Sequence, residues 1–167
     1  RQFLAGPLVT VDPWGNRPYP ASGSRYGREH ETEAMAQLAA SARDSGALWF
    51  HWRVASLDYF SAIEPLGYWE SGECHDYRYA LAFLDGEHIF STVAVEVRAV
   101  AARLVEGGWI VVDNANHVQM GECADMIEDL AALAGELGLR CRFYNVPDGD
   151  VIVVLGKCDP SNVLGRK

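Results

Sequence analysis

The chain has 167 residues, 49% of them apolar, and a formal net charge of −9 at pH 7; that is enough apolar material for one domain with a sizeable core, spanning 1–167 with a polar tail from residue 157. Its Lys and Arg residues form no stripe of the kind that phosphate-backbone binding requires, so nucleic acid is not an expected partner. No apolar run approaches the roughly 18 residues of a membrane span and no signal-peptide pattern is present, so a soluble, cytoplasmic protein is expected.

Leu8-Val9-Thr10-Val11 reads as a short strand stopped by Asp12-Pro13-Trp14-Gly15. Residues 16–28 are rich in Pro, Gly, Ser, Arg and Tyr and read as a surface loop. Ala34, Met35, Leu38, Ala39 and Ala42 recur at helical spacing, which predicts a helix from about Glu29 to Asp44 with Gly46 as its stop. Leu48–Val54 reads as the next strand, followed by a short helix around Leu57–Ile63 that ends before Pro65. Residues 64–77 show no period and read as an irregular loop on the surface, a candidate cover for the site.

Two apolar strands then each run into acid. Tyr79–Leu84 leads into Asp85-Gly86-Glu87-His88, and Trp109–Val112 leads into Asp113-Asn114. Between them Ile89, Val93, Val97, Val100, Ala101 and Leu104 mark an amphipathic helix, which Gly107-Gly108 is expected to end. Continuous apolar runs joined by a helix read as neighbouring parallel strands of a βαβ unit. Such strands lie roughly 4.8 Å apart, so Asp85 and Asp113 should emerge side by side. They do so at the carboxyl edge, where open α/β sheets bind ligands.

A loop to about Gly121 precedes a helix marked by Met126, Ile127, Leu130, Leu133, Ala134 and Leu137, with Gly138 as its stop. Strands are predicted at 139–146 and 151–156, separated by Pro147-Asp148-Gly149-Asp150. That spacer is turn chemistry, too short for a crossover, so the pair must be antiparallel. Leu81, Phe83, Ile110, Val112, Ile152 and Val154 are the expected core of the sheet. The four cysteines, Cys74, Cys123, Cys141 and Cys158, show no CxxC spacing and read as free thiols, mostly buried; Cys74-His75 has no second half for a zinc site.

Leu84-Asp85-Gly86-Glu87-His88, a helix, then Glu106-Gly107-Gly108-Trp109-Ile110-Val111-Val112-Asp113-Asn114 resembles the S-adenosylmethionine-dependent O-methyltransferases that act on small molecules. The resemblance runs from Leu8 to Gly156, through Val11-Asp12-Pro13-Trp14 and Ala55-Ser56-Leu57-Asp58. It implies an α/β, Rossmann-like class I methyltransferase fold: a mostly parallel sheet closed by a C-terminal antiparallel hairpin. It also implies that the first βα unit, with its glycine-rich loop, belongs before Leu8, so that the native protein would be longer. Metal-dependent members hold magnesium at positions matching Asp85, Asp113 and Asn114, with oxygen donors suited to a hard cation. Their base stands three residues after the first acid; His88 there matches the macrolide-sugar type rather than the lysine of the catechol type, and histidine suits proton removal near neutral pH.

The resemblance further implies S-adenosylmethionine as cofactor, with Asp12 on its ribose hydroxyls and Ser56 near its adenine. The partner would be a small-molecule hydroxyl acceptor, sugar or natural-product in type, and self-association into a homo-oligomer is left open. A cephalosporin-hydroxylase-like enzyme of the same fold, or a non-catalytic degenerate domain, are the alternatives. Plainer readings stand beside these roles. Asp85 and Ser56 suit helix caps, Asp113-Asn114 and Asp12-Pro13 suit turns, His88 suits an exposed first helical turn, and His51 suits a structural place within its strand.

Overall fold

The computed structural model describes residues 7–12, 28–46, 48–86, 88–116, 126–147 and 149–157. The chain divides into two compact units, Arg1–Ile63 and Glu64–Lys167. Among the described residues no helix is long and apolar enough to cross a membrane.

In the first unit β1 (Leu8–Val11) and β2 (Trp49–Trp52) pair in parallel, with Leu8 opposite Trp49 and Val11 opposite Trp52. A parallel pair needs a crossover, and α1 (Arg28–Ser45) provides it. The Thr10 hydroxyl accepts a hydrogen bond from Trp49 Nε1 (3.0 Å) and lies 2.9 Å from His51 Nδ1. His51 is thereby tied into the strand pair, which is the structural place expected for it. After β2 the chain enters α2 (Ser56–Asp58) and continues through a wider π-type turn, Tyr59–Ile63.

The second unit starts with a 3₁₀ turn, Glu64–Leu66, and then departs from the irregular loop expected over 64–77. Tyr68–Glu70 (β3) and Glu73–His75 (β4) form an antiparallel hairpin. Its two-residue turn is Ser71-Gly72, both with positive φ (53° and 88°), the conformation of a type I′ hairpin turn. The rings of Tyr68, His75 and Tyr77 pack with centroids 5.3 Å apart in each pair made with Tyr68. The hairpin feeds β5 (Tyr79–Leu84) at its amino end, the end opposite Asp85.

From β5 onward the order is α3 (Phe90–Arg103), β6 (Leu104–Val112), α4 (Ile127–Glu136), β7 (Arg140–Asn145) and β8 (Val151–Gly156). The sheet has the order β5-β6-β8-β7, with β5 and β6 parallel and the other two pairings antiparallel. The mixed α/β architecture and the antiparallel hairpin across Pro147–Asp150 are those the sequence predicts. Val146 N–H donates to Asp150 C=O (2.9 Å) and closes that hairpin's turn.

Gly107-Gly108 does not end α3. The helix stops at Arg103, and the two glycines lie inside β6. Gly107 has φ +75°, and the β5–β6 register shifts between Tyr79 and Leu81. A Cβ on Gly108 would sit 2.9 Å from the carbonyl oxygens of both Tyr79 and Val105. The pair therefore makes a bulge through which β6 can press against β5, a use of glycine inside a strand.

The sheet core also differs from expectation in its faces. Ile110, Val112, Val153 and Leu155 are essentially inaccessible and share one face of the sheet through the β6–β8 register. α3 packs on β5 and β6, α4 on β7 and β8, and the two helices touch, so both cover one face. Val93, Val97 and Val100 of α3, and Leu130, Leu133 and Ala134 of α4, are the buried apolar residues at helical spacing. Leu81 and Phe83 pair with Trp109 and Val111 on the opposite face and are 61% and 59% exposed. Ile152 and Val154 share that second face, where Val154 is buried and Ile152 half-buried.

At the amino end of β5 the buried Glu64 carboxylate accepts a hydrogen bond from Tyr79 Oη (2.8 Å) and pairs with Arg103 Nε (2.9 Å). The clamp ties the 3₁₀ turn to the first residue of β5 and the last of α3. The two described cysteines are free thiols but not the buried ones expected: Cys74 is exposed and Cys141 half-buried, and burial pushes the Cys141 thiol above its ordinary pKa.

Candidate functional site

The βα register does bring the acids to one edge. Leu84 lies opposite Val112, and Asp113 N–H donates to Leu84 C=O at 3.0 Å. Asp85 and Asp113 therefore leave adjacent parallel strands at neighbouring positions. His88 Nε2 stands 3.9 Å from Asp85 Oδ1, an ion-pair distance beyond hydrogen-bond range. The His88 side chain is only 11% exposed, whereas that of Asp85 is 54% exposed.

Two plainer readings give way here. The N-cap position of α3 is Ile89, with no side-chain cap bond, so Asp85 is not the cap of that helix. His88 precedes the helix rather than occupying its first turn, and it is largely enclosed. The loop between β5 and α3 thus carries both an exposed acid and a sheltered imidazole. Glu96, one of two buried charged residues among those described, reaches back to this loop: a Cβ on Gly86 would lie 3.8 Å from its Oε1. Side chains on a helix lean toward its N-terminus, which brings a residue of the second turn to the loop before it.

After β6, Asn114 takes a left-handed conformation (φ +47°), which asparagine tolerates better than most residues. Its Nδ2 donates to Asp150 Oδ2 at 2.7 Å. Three more bonds join the same two segments. Ala115 N–H donates to Val151 C=O (2.8 Å), Val151 N–H to Asn116 Oδ1 (2.8 Å), and Asn116 Nδ2 to Gly149 C=O (3.0 Å). Asp150 and Asn116 were not singled out from the sequence. Their signal was topological: β8 runs antiparallel to β6, with Val112 opposite Val153, so the turn before β8 must lie beside the end of β6.

Asp12 and Ser56 belong to the first unit. Asp12 N–H donates to Trp52 C=O (3.1 Å), and Ser56 follows four residues after Trp52, so both stand at the carboxyl end of the β1–β2 pair. Ser56 opens α2, while the cap position is Ala55 without a side-chain bond. Trp14, considered for packing on a cofactor, and His117 lie outside the described residues.

Among the described residues no three His, Cys, Asp or Glu side chains gather into a group that could hold a metal ion. The set Asp85, Asp113 and Asn114 is of another kind, two carboxylates and one amide. Carboxylate and amide oxygens are the donors a hard cation takes, and the Asn114 amide nitrogen is already given to Asp150.

A family model described as a methyltransferase domain matches residues 1–115, from before β1 through the Asp113-Asn114 turn. The chain belongs to the methyltransferase domain family. No curated protein matches it. Among solved structures, a protein from Corynebacterium glutamicum is 19% identical with a TM-score of 0.50, covering 92% of this chain and 61% of the other. The cofactor-bound Rv0187 from MTB is 18% identical with a TM-score of 0.54, covering 92% of this chain and 63% of the other. This methyltransferase domain thus spans less than two thirds of the length of either. The likeness is one of fold, in keeping with the Rossmann-like class I architecture read from the sequence.

Proposed function

We propose that this methyltransferase domain transfers a methyl group from S-adenosylmethionine to a hydroxyl of a small molecule, with His88 as the general base. The Asp85–His88 pair carries the reading. It is a sheltered imidazole beside an exposed carboxylate, on the carboxyl edge where ligands of α/β sheets bind. S-adenosylmethionine would present the methyl carbon to the acceptor oxygen and leave as the neutral thioether. His88 Nε2 would take the hydroxyl proton as that oxygen attacks, and the Asp85 carboxylate would stabilise the imidazolium so formed. Asp12 would accept the ribose hydroxyls, the role acids play in nucleotide sites, and Ser56 would lie near the adenine. A magnesium ion, when held by Asp85, Asp113 and Asn114, would lower the pKa of the acceptor hydroxyl.

The test is transfer of a labelled methyl group to a panel of hydroxylated acceptors, sugars included, with the methylated atom located by NMR. Methylation on oxygen supports the reading; methylation on nitrogen or carbon alone would overturn it. In calorimetry with S-adenosylmethionine, Asp12→Ala should weaken binding by on the order of tenfold, as loss of a charge-assisted hydrogen bond implies. Unchanged affinity would remove Asp12 from the cofactor site.

A further inference from the structure

The closing hairpin takes part in setting the geometry of the acidic edge. We propose that Asp150 is a positioning residue, which holds the Asn114 side chain so that its carbonyl oxygen is the atom offered beside the Asp113 carboxylate. The inference rests on the magnesium part of the reading above for its purpose, but not for its geometry.

Asn114 can present either an N–H or an oxygen to a ligand, and the two faces have opposite chemistry. An ionised carboxylate only accepts hydrogen bonds, so the 2.7 Å contact between Asn114 Nδ2 and Asp150 Oδ2 decides which face is used. The nitrogen goes to Asp150, and the oxygen is left for a cation or for a hydroxyl donor. The contact is held in register by the three other bonds between residues 115–116 and 149–151. The Asn114 backbone is itself in the left-handed region, which fixes where the side chain starts. Groups that orient a ligating residue commonly affect metal affinity by 10–100-fold when removed.

Asp150→Ala and Asp150→Asn separate positioning from simple charge. Asparagine keeps an acceptor oxygen for Asn114 but loses the negative charge; alanine loses both. Binding of Mn²⁺ alone, used as a spectroscopic probe for magnesium, is followed by electron paramagnetic resonance. The side-chain NH₂ resonances of Asn114 are followed by ¹⁵N NMR without any metal. Positioning predicts that Asp150→Ala weakens Mn²⁺ binding by about 10–100-fold, while Asp150→Asn stays within a few-fold of the parent. In the NMR spectra the Asn114 NH₂ pair should move toward free-amide values in Asp150→Ala only.

Equal weakening in both variants would mean a charge effect and overturn the proposal, as would an Asn114 signal unaffected by Asp150→Ala. If the parent chain and Asp113→Ala alike show no Mn²⁺ binding, the metal reading fails. The NMR comparison still decides whether Asp150 orients Asn114. Should Asp150→Ala fail to fold, Asp150→Asn against the parent remains: an Asn114 NH₂ shift to free-amide values there would overturn positioning, and retention would support it.

Discussion

Replacing His88 by alanine should lower the rate of methyl transfer by about 10²–10⁴-fold, the contribution typical of a positioned general base. The expectation follows from enclosure as much as from residue type. His88 is 11% exposed and stands 3.9 Å from Asp85, so the imidazole has a defined place and a negative neighbour for its protonated form. The substitution leaves untouched the cofactor contacts proposed for Asp12 and Ser56, so affinity for S-adenosylmethionine should change little. Added imidazole should restore part of the rate, because a small base can enter the space the side chain leaves. A variant with normal turnover, or one whose activity falls only in step with its folded fraction, would show that His88 is a packing residue.

The second large effect concerns stability. Arg103→Ala should lower the unfolding free energy by about 3 kcal/mol, toward the low end of the range for breaking a buried ion pair from one side. Glu64 has a side-chain exposure of 4%, so its carboxylate is poorly hydrated when the guanidinium is removed. Tyr79 Oη would remain as a hydrogen-bond donor, which keeps the loss from being larger. Against a total stability of roughly 5–15 kcal/mol this is a substantial fraction. Denaturant midpoints at constant m-value give the comparison. The double variant Glu64→Leu/Arg103→Leu should recover most of the loss, since a matched apolar pair leaves no buried charge behind. A loss below about 1 kcal/mol for Arg103→Ala would mean the clamp is effectively solvated.

Much of this was legible in the residues, for identifiable reasons. The parallel pairing of β5 with β6 follows from two continuous apolar runs around a helical period, and it places Asp85 beside Asp113 without further assumption. The hairpin of β7 and β8 follows from a spacer too short to cross over. The β3–β4 hairpin was hidden because its strands are three residues long and its turn is Ser71-Gly72, a weaker hairpin signal than Asn-Gly or Asp-Gly. The exposure of Leu81 and Phe83 was hidden by the uniformity of the strand. A run that is apolar at every position looks the same from either face, so period alone cannot say which side the helices cover. Asp150 was hidden for a different reason: its contact with Asn114 joins positions 36 residues apart, and only the direction of β8 brings them together.

Among the described residues β5 pairs with β6 alone within the four-stranded sheet. Its residues, Tyr79–Leu84, include no charge and no proline, the two devices that most often keep an edge strand from recruiting another chain. Where that edge is left uncovered, the collective charge of −9 is what holds copies of the protein apart, a colloidal rather than a stereochemical safeguard. Such repulsion reaches only about 8 Å at physiological ionic strength and about 3 Å in molar salt. Light scattering across a salt series should therefore show particles that grow as salt rises, the reverse of what association through ion pairs would give.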